Sequence, residues 1–155
     1  MIVIIALGQE MRRDDAAGLE IVRAWQRSYP QSASRQDVHV EIARLAGLDL
    51  LNLLEDADAA VLVDCVHTNA SAGTLFTLQE SDLEQFSTAS GSAHGWGAAE
   101  TLALGRVIGD DLPNRLAILA IAAGEVGIGE GLSPAVLAAI PAAAKKLENI
   151  LQSLS

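Results

Sequence analysis

Three side chains that can bind a metal ion stand where an α/β fold exposes polar groups. Asp15 follows an apolar N-terminal segment, Asp64 ends a second apolar run, and His94 lies in a loop of small residues. Two carboxylates held close together repel each other unless a cation lies between them or one keeps its proton. With an imidazole they form a mixed ligand set that suits Zn, Ni, Mn or Fe(II) better than Ca. Three protein ligands leave coordination positions open for water or a substrate.

Each candidate also has a simpler explanation. Aspartates at a helix start, such as Asp14 and Asp15, are most often caps for free N–H groups. Asp64 would cap a loop, and a histidine among Gly and Ser residues, such as His94, is usually solvated. His67 is a weaker ligand candidate than His94. Because one aspartate is enough for a cap, the second carboxylate needs a neighbour in space, and a metal-dependent or metal-binding protein remains the leading interpretation.

Other kinds of site find less support in the sequence. Ser92 and His94 do not form a convincing hydrolase pair, since no G-x-S-x-G turn surrounds the serine. There is no P-loop, and Gly8 lacks the partner glycines of a dinucleotide fingerprint. Cys65 follows Asp64 directly and should point to the opposite face of the sheet, into the core.

The order of apolar segments predicts strands alternating with helices. The predicted strands span residues 1–7, 38–43, 59–63, 74–78 and 116–122, and the predicted helices begin near residues 14, 48, 96 and 133. Ser133 and Pro134 are a cap and first-turn pair for the last helix, which Pro141 should kink or restart. This alternation is typical of a three-layer α/β/α sandwich with a mostly parallel sheet.

The connections predict how the strands are arranged. Fewer than a dozen residues join the third strand to the fourth, which is too short for a helical crossover, so the fourth strand should run antiparallel. The first and third strands are plausible neighbours. Their carboxyl ends would then bring Asp15 and Asp64 to one edge, where ligands bind in open α/β sheets.

The overall composition limits the classes of partner. The 155 residues fit a single domain, 1–155, and the net charge of −10 argues against nucleic acid or an anionic membrane as the main partner. One cysteine excludes an internal disulfide and suits the cytoplasm. There is no signal-peptide pattern and no apolar run near twenty residues, so we expect a cytoplasmic protein that neither spans a membrane nor is exported.

Four stretches together resemble the hydrogenase maturation endopeptidases. They are LGQEMRRDDAAG, VLVDCV, SAHGWGAAETLAL and GEGLSP, in this order along the chain. Members of that family trim the C-terminal tail from the precursor of the [NiFe]-hydrogenase large subunit. The resemblance implies a five-stranded twisted sheet with one antiparallel strand, flanked by helices.

The resemblance also implies a site. The family's nickel-binding carboxylate, aspartate and loop histidine match Asp15, Asp64 and His94, while Asp14 matches a position beside a ligand. Gln9 stands where the family commonly has asparagine, and His67 where it often has a carboxylate or a small polar group; both are candidates for contact with the substrate. The resemblance gives no separate nucleophile.

The implied reaction is peptide hydrolysis close to nickel that the precursor itself delivers, so that the metal arrives with the substrate. Polarisation of the scissile carbonyl, or activation of a bound water, would supply the chemistry. An alternative is a non-catalytic maturation chaperone of the same fold that binds the metal or the precursor without cutting. A third hypothesis is that the protein is a peptidase of related fold that acts on another substrate.

Overall fold

The computed structural model describes residues 1–44, 48–83, 97–109, 111–124 and 128–155, and five strands lie within these ranges. The strands are β1 (Ile2–Leu7), β2 (Val38–Ala43), β3 (Ala59–Val66), β4 (Leu75–Gln79) and β5 (Arg115–Ala122). They form one sheet in the order β2-β1-β3-β5-β4. The first three and β5 pair in parallel, whereas β4 pairs with β5 antiparallel. The predicted sheet, including its antiparallel strand, is confirmed.

The helices surround this sheet. They are α1 (Ala17–Ser28), α2 (Pro30–Ala33), α3 (Leu48–Leu54), α4 (Gly97–Ile108) and α5 (Pro134–Leu154), and a 3-10 turn, Arg13–Ala16, precedes α1. Within the described part of the chain, no helix is both long and apolar enough to cross a membrane.

The sheet separates two apolar layers. Neighbouring residues of a strand point to opposite faces, so Val61 and Val63 pack against α1 and α5, whereas Leu62 packs against α3 and α4. α1 connects β1 to β2 on one side of it, whereas α3 connects β2 to β3 on the other side of β1, so the direction of the connections reverses between β1 and β3. That reversal is the topological switch point, outside which ligands bind in open α/β sheets.

One predicted strand end was wrong, and one of two alternatives for the last helix is excluded. β3 was expected to end at Asp64, but it continues to Val66, because β5 pairs with it as far as the contact between Val66 and Ala122. Asp64 therefore lies inside the strand. Pro141 does not restart the last helix, since α5 runs through it without a break, and Ile140 next to it is buried in the core.

A cluster of hydrogen bonds joins α1 to α5 at a distance from the switch point. Trp25 is fully buried, and its indole N–H donates to the Glu148 carboxylate at 2.8 Å. The same carboxylate accepts from the Ser32 hydroxyl at 2.7 Å and from the Gln152 amide at 2.8 Å. Burial alone would raise the pKa of Glu148, but the hydrogen bonds outweigh it and hold the pKa below its ordinary value of 4.5.

This depressed pKa predicts how stability depends on pH. A carboxylate whose pKa is lowered on folding stabilises the protein above its unfolded-state pKa, and loses that contribution as the pH falls through the lower folded-state value. Glu148→Gln should reduce the free energy of unfolding by about 1 to 2 kcal/mol at neutral pH, and by less well below pH 4.5. Urea denaturation of both proteins across this pH range measures the difference. An equal loss of unfolding free energy at every pH would contradict a lowered pKa of Glu148.

Candidate active site at the carboxyl edge of the sheet

Two glycines bring the chain close to itself at the carboxyl edge, the side where β1, β2, β3 and β5 end. Gly8 follows β1 with φ +145°, and a Cβ there would overlap the carbonyl oxygen of Asp15. In α1, a Cβ on Gly18 would lie 2.5 Å from the Leu7 carbonyl oxygen and 2.6 Å from that of Val63. The start of α1 is therefore packed directly on the ends of β1 and β3.

The close approach places Asp15 at the switch point. Asp15 belongs to the 3-10 turn, which contacts β3, and its side chain is partly exposed. Asp64 is the third residue from the end of β3 and is also partly exposed. One oxygen of the Asp64 carboxylate accepts a 2.7 Å hydrogen bond from the backbone N–H of Cys65. The two carboxylates thus stand on elements that contact each other.

Two further candidates, His67 and Gln9, lie at the same edge. His67 is exposed at the start of the loop that follows β3. Gln9 is partly buried after β1, and it lines a cavity of about 240 Å³ together with Ile42 and Arg44. Their predicted contact with a substrate stays a prediction.

The environment of Cys65 shows that negative charge is concentrated at this edge. Burial is the main cause that raises the pKa of the Cys65 thiol, and the charges of Asp64, Asp14 and Asp15 raise it further. All three carboxylates therefore lie within electrostatic reach of one sulfur atom. Cys65 itself packs in the layer formed by α1 and α5, which confirms its predicted place in the core.

Only part of the predicted ligand set lies in the described residues. Asp15 and Asp64 are described, whereas His94 falls in residues 84–96, outside the described part of the chain. Among the residues that are described, no group of three His, Cys, Asp or Glu side chains is arranged to hold a metal ion. The two carboxylates are chemically suited to a cation, because repulsion between like charges at one edge is relieved when a cation binds between them. The set of Asp15, Asp64 and His94 stays a prediction.

Asp14 has a different environment from its neighbour. Its side chain is fully buried, and it accepts hydrogen bonds from the backbone N–H of Gly124, the backbone N–H of Ser133 and the Ser133 hydroxyl, each at 2.7 Å. The N-cap residues of the 3-10 turn and of α1 are Arg12 and Ala16, so neither aspartate is the N-cap residue that the simpler explanation expected. Ser133 is the N-cap residue of α5, but its hydroxyl donates to Asp14 and makes no cap hydrogen bond.

Backbone hydrogen bonds form a second connection between the loop after β1 and the loop between β5 and α5. The N–H of Arg13 donates to the Gly129 carbonyl at 3.3 Å, and the N–H of Gly129 donates to the Met11 carbonyl at 3.0 Å. Arg13 adopts φ +49°, an uncommon value for a residue with a side chain. The loop after β1 is thus joined to the glycine-rich segment, residues 124–133, of which 125–127 are not described.

A mixed α/β sheet with carboxylates beside its switch point defines a class of protein that binds its ligand or substrate at the carboxyl edge. Comparison with known protein families shows which family of this class the chain belongs to. The model of the HycI hydrogenase maturation protease family matches residues 21–150. The chain belongs to this family of proteases, which confirms the resemblance seen in its sequence. The matched range contains Asp64 and the position of His94, and it begins after Asp14 and Asp15.

Individual relatives agree with the family. The chain is 27% identical over 154 residues to the hydrogenase 2 maturation protease of Escherichia coli, covering 99% of this chain and 90% of that protein. The structure superimposes on the hydrogenase maturating endopeptidase HybD from E. coli with a TM-score of 0.79 and 23% identity, over 98% of this chain and 92% of that one. The corresponding values for the [NiFe] hydrogenase maturation protease HybD from Thermococcus kodakarensis are 0.72 and 23%, over 97% and 98%. At these identities the structural matches establish the fold.

Because Gly8 lies so close to Asp15, replacing it with alanine should cost much more stability than the same change at Gly109, another glycine with positive φ. Gly8→Ala should lower the free energy of unfolding by about 3 kcal/mol or more, because its Cβ would overlap the Asp15 carbonyl. Gly109→Ala meets no atom within 4 Å and should cost about 1 kcal/mol, from backbone strain alone. Urea denaturation compares the two variants, and equal losses would show that the contact between Gly8 and Asp15 is not tight.

Proposed function

We propose that this protein is an endopeptidase that removes the C-terminal extension from a [NiFe]-hydrogenase large-subunit precursor once nickel has been inserted. Membership in the hydrogenase maturation protease family supports the reaction class and the kind of substrate. The observation that carries the proposal is the arrangement of Asp15 and Asp64 on adjoining elements at the switch point, both partly exposed. The cytoplasm, where a single cysteine stays reduced, is the proposed site of action.

In this proposal the nickel is part of the substrate. Asp15 and Asp64, with His94 as the third ligand, bind the nickel that the precursor already holds, so that only a loaded precursor is positioned for cleavage. Carboxylate and imidazole groups are suitable ligands for a divalent transition metal. The bound nickel polarises the scissile carbonyl or activates a water molecule next to it. The two carboxylates thus act both in recognition of the precursor and in orientation of its tail.

Substitution of the three proposed ligands tests this assignment. Asp15→Asn, Asp64→Asn and His94→Ala should each slow removal of the tail by at least about 100-fold, because each removes a charge or donor that orients the metal. The rate is measured from intact-mass spectra of a nickel-loaded precursor sampled over time. Circular dichroism and thermal unfolding check that each variant is folded.

Two exposed residues away from the carboxyl edge provide matched controls. Asp56→Asn, between the end of α3 and the start of β3, and His39→Ala in β2 make the same chemical changes at exposed positions, and should cleave at the wild-type rate. Normal processing by all three ligand variants would refute the proposal. Stable binding of the loaded precursor by the wild type, without any change in its mass, would favour the chaperone of the same fold.

A further inference from the structure

We propose that Asp14 is a positioning residue, whose buried carboxylate holds Asp15, Gly124 and Ser133 in the geometry that cleavage requires. This inference rests on the proposed function, since it concerns how the same site is held. Asp14 does not need to touch the substrate for this role, because it acts through its neighbour Asp15 and through Gly124 and Ser133.

The hydrogen bonds of Asp14 connect segments that are far apart along the chain. Gly124 follows β5, Ser133 precedes α5, and they lie 110 and 119 residues from Asp14. A buried carboxylate is costly unless donors compensate for the lost water, and three donors at 2.7 Å do so here. The carboxylate therefore fixes the 3-10 turn, the end of β5 and the start of α5 relative to one another.

The packing around these hydrogen bonds leaves little room for adjustment. A Cβ on Gly124 would lie 2.8 Å from the Ser133 hydroxyl oxygen, 3.1 Å from the Ala72 Cβ and 3.3 Å from an Asp14 carboxylate oxygen. Glycine is therefore the residue that lets the backbone N–H of position 124 reach Asp14. A shift of either loop would break at least one of these contacts.

Because Asp14 and Asp15 are neighbours in one 3-10 turn, fixing Asp14 also limits where the Asp15 side chain can point. Successive side chains of a 3-10 helix point about 120° apart, because it has about three residues per turn. With Asp14 fixed towards the interior, the Asp15 side chain must point in another direction, and it is partly exposed. The backbone carbonyl of Asp15 packs closely against Gly8. The backbone of Asp15 is thus confined by the bonded side chain of Asp14 and by the packing against Gly8.

Substitutions of the donor and acceptor test the role. Asp14→Asn keeps the size of the side chain but replaces one acceptor oxygen by an NH2 group, which cannot accept from a backbone N–H. We expect kcat for cleavage of the nickel-loaded precursor to fall about 10- to 100-fold, with KM changed less than about threefold. Ser133→Ala removes only the hydroxyl and should lower kcat about three- to tenfold. Ser133→Thr restores a hydroxyl and should regain most of that loss.

Glu148→Gln is the matched control for stability. Glu148 is also a carboxylate that accepts several hydrogen bonds, and it joins α1 to α5 away from the carboxyl edge. At a temperature where every variant is folded, Glu148→Gln should retain wild-type kcat despite its lower stability. If Asp14→Asn and Ser133→Ala also retain wild-type kcat, Asp14 is only structural and the proposal is overturned. Should Asp14→Asn fail to fold, Ser133→Ala decides.

Amide hydrogen exchange separates this inference from the proposed function. In the wild type, the N–H groups of Gly124 and Ser133 should be protected, and in Asp14→Asn they should exchange at least about tenfold faster. A wild type that cleaves no precursor would refute the proposed function, and the exchange result would still decide whether Asp14 holds the two loops. Unchanged exchange in Asp14→Asn would overturn the positioning role.

Discussion

The arrangement of the carboxyl edge depends on hydrogen bonds that compensate the buried carboxylate of Asp14 for its lost contact with water. Asp14 has no exposed surface, and its carboxylate accepts hydrogen bonds from protein groups. Those donors come from Gly124 and Ser133, which lie at the end of β5 and the start of α5. The loop after β1 is consequently tied to the C-terminal part of the chain, and Asp15 follows directly from the residue that makes the connection.

The sheet positions the second carboxylate, Asp64. Because β1 and β3 are parallel neighbours, the residues at their carboxyl ends lie at the same edge, and Gly18 allows α1 to pack on both strand ends. Asp64 belongs to β3, a strand paired on both sides, whereas Asp15 belongs to a turn that Asp14 holds. One carboxylate is thus placed by the core of the sheet and the other by hydrogen bonds between loops.

Much of this fold was predictable from local patterns. Apolar runs predicted all five strands, the bounds of β2 agree with the prediction to the residue, and α3 begins at the predicted residue 48. The continuation of β3 past Asp64 was not predictable, because it depends on pairing with β5, which is distant in sequence. The partners of Asp14 were missed for the same reason; the adjacent pair of aspartates indicated only that one of them had a further role. The ligand role of His94 rests on sequence and family alone.

The most direct test of the central claim compares nickel-loaded with nickel-free precursor. Each sample of a [NiFe]-hydrogenase large-subunit precursor from the same organism is incubated with the wild-type protein and its intact mass is measured. The account predicts that a short C-terminal peptide is lost only from the loaded sample. Equal cleavage of both samples would contradict recognition through nickel, and no cleavage of a competent loaded precursor would contradict the peptidase function.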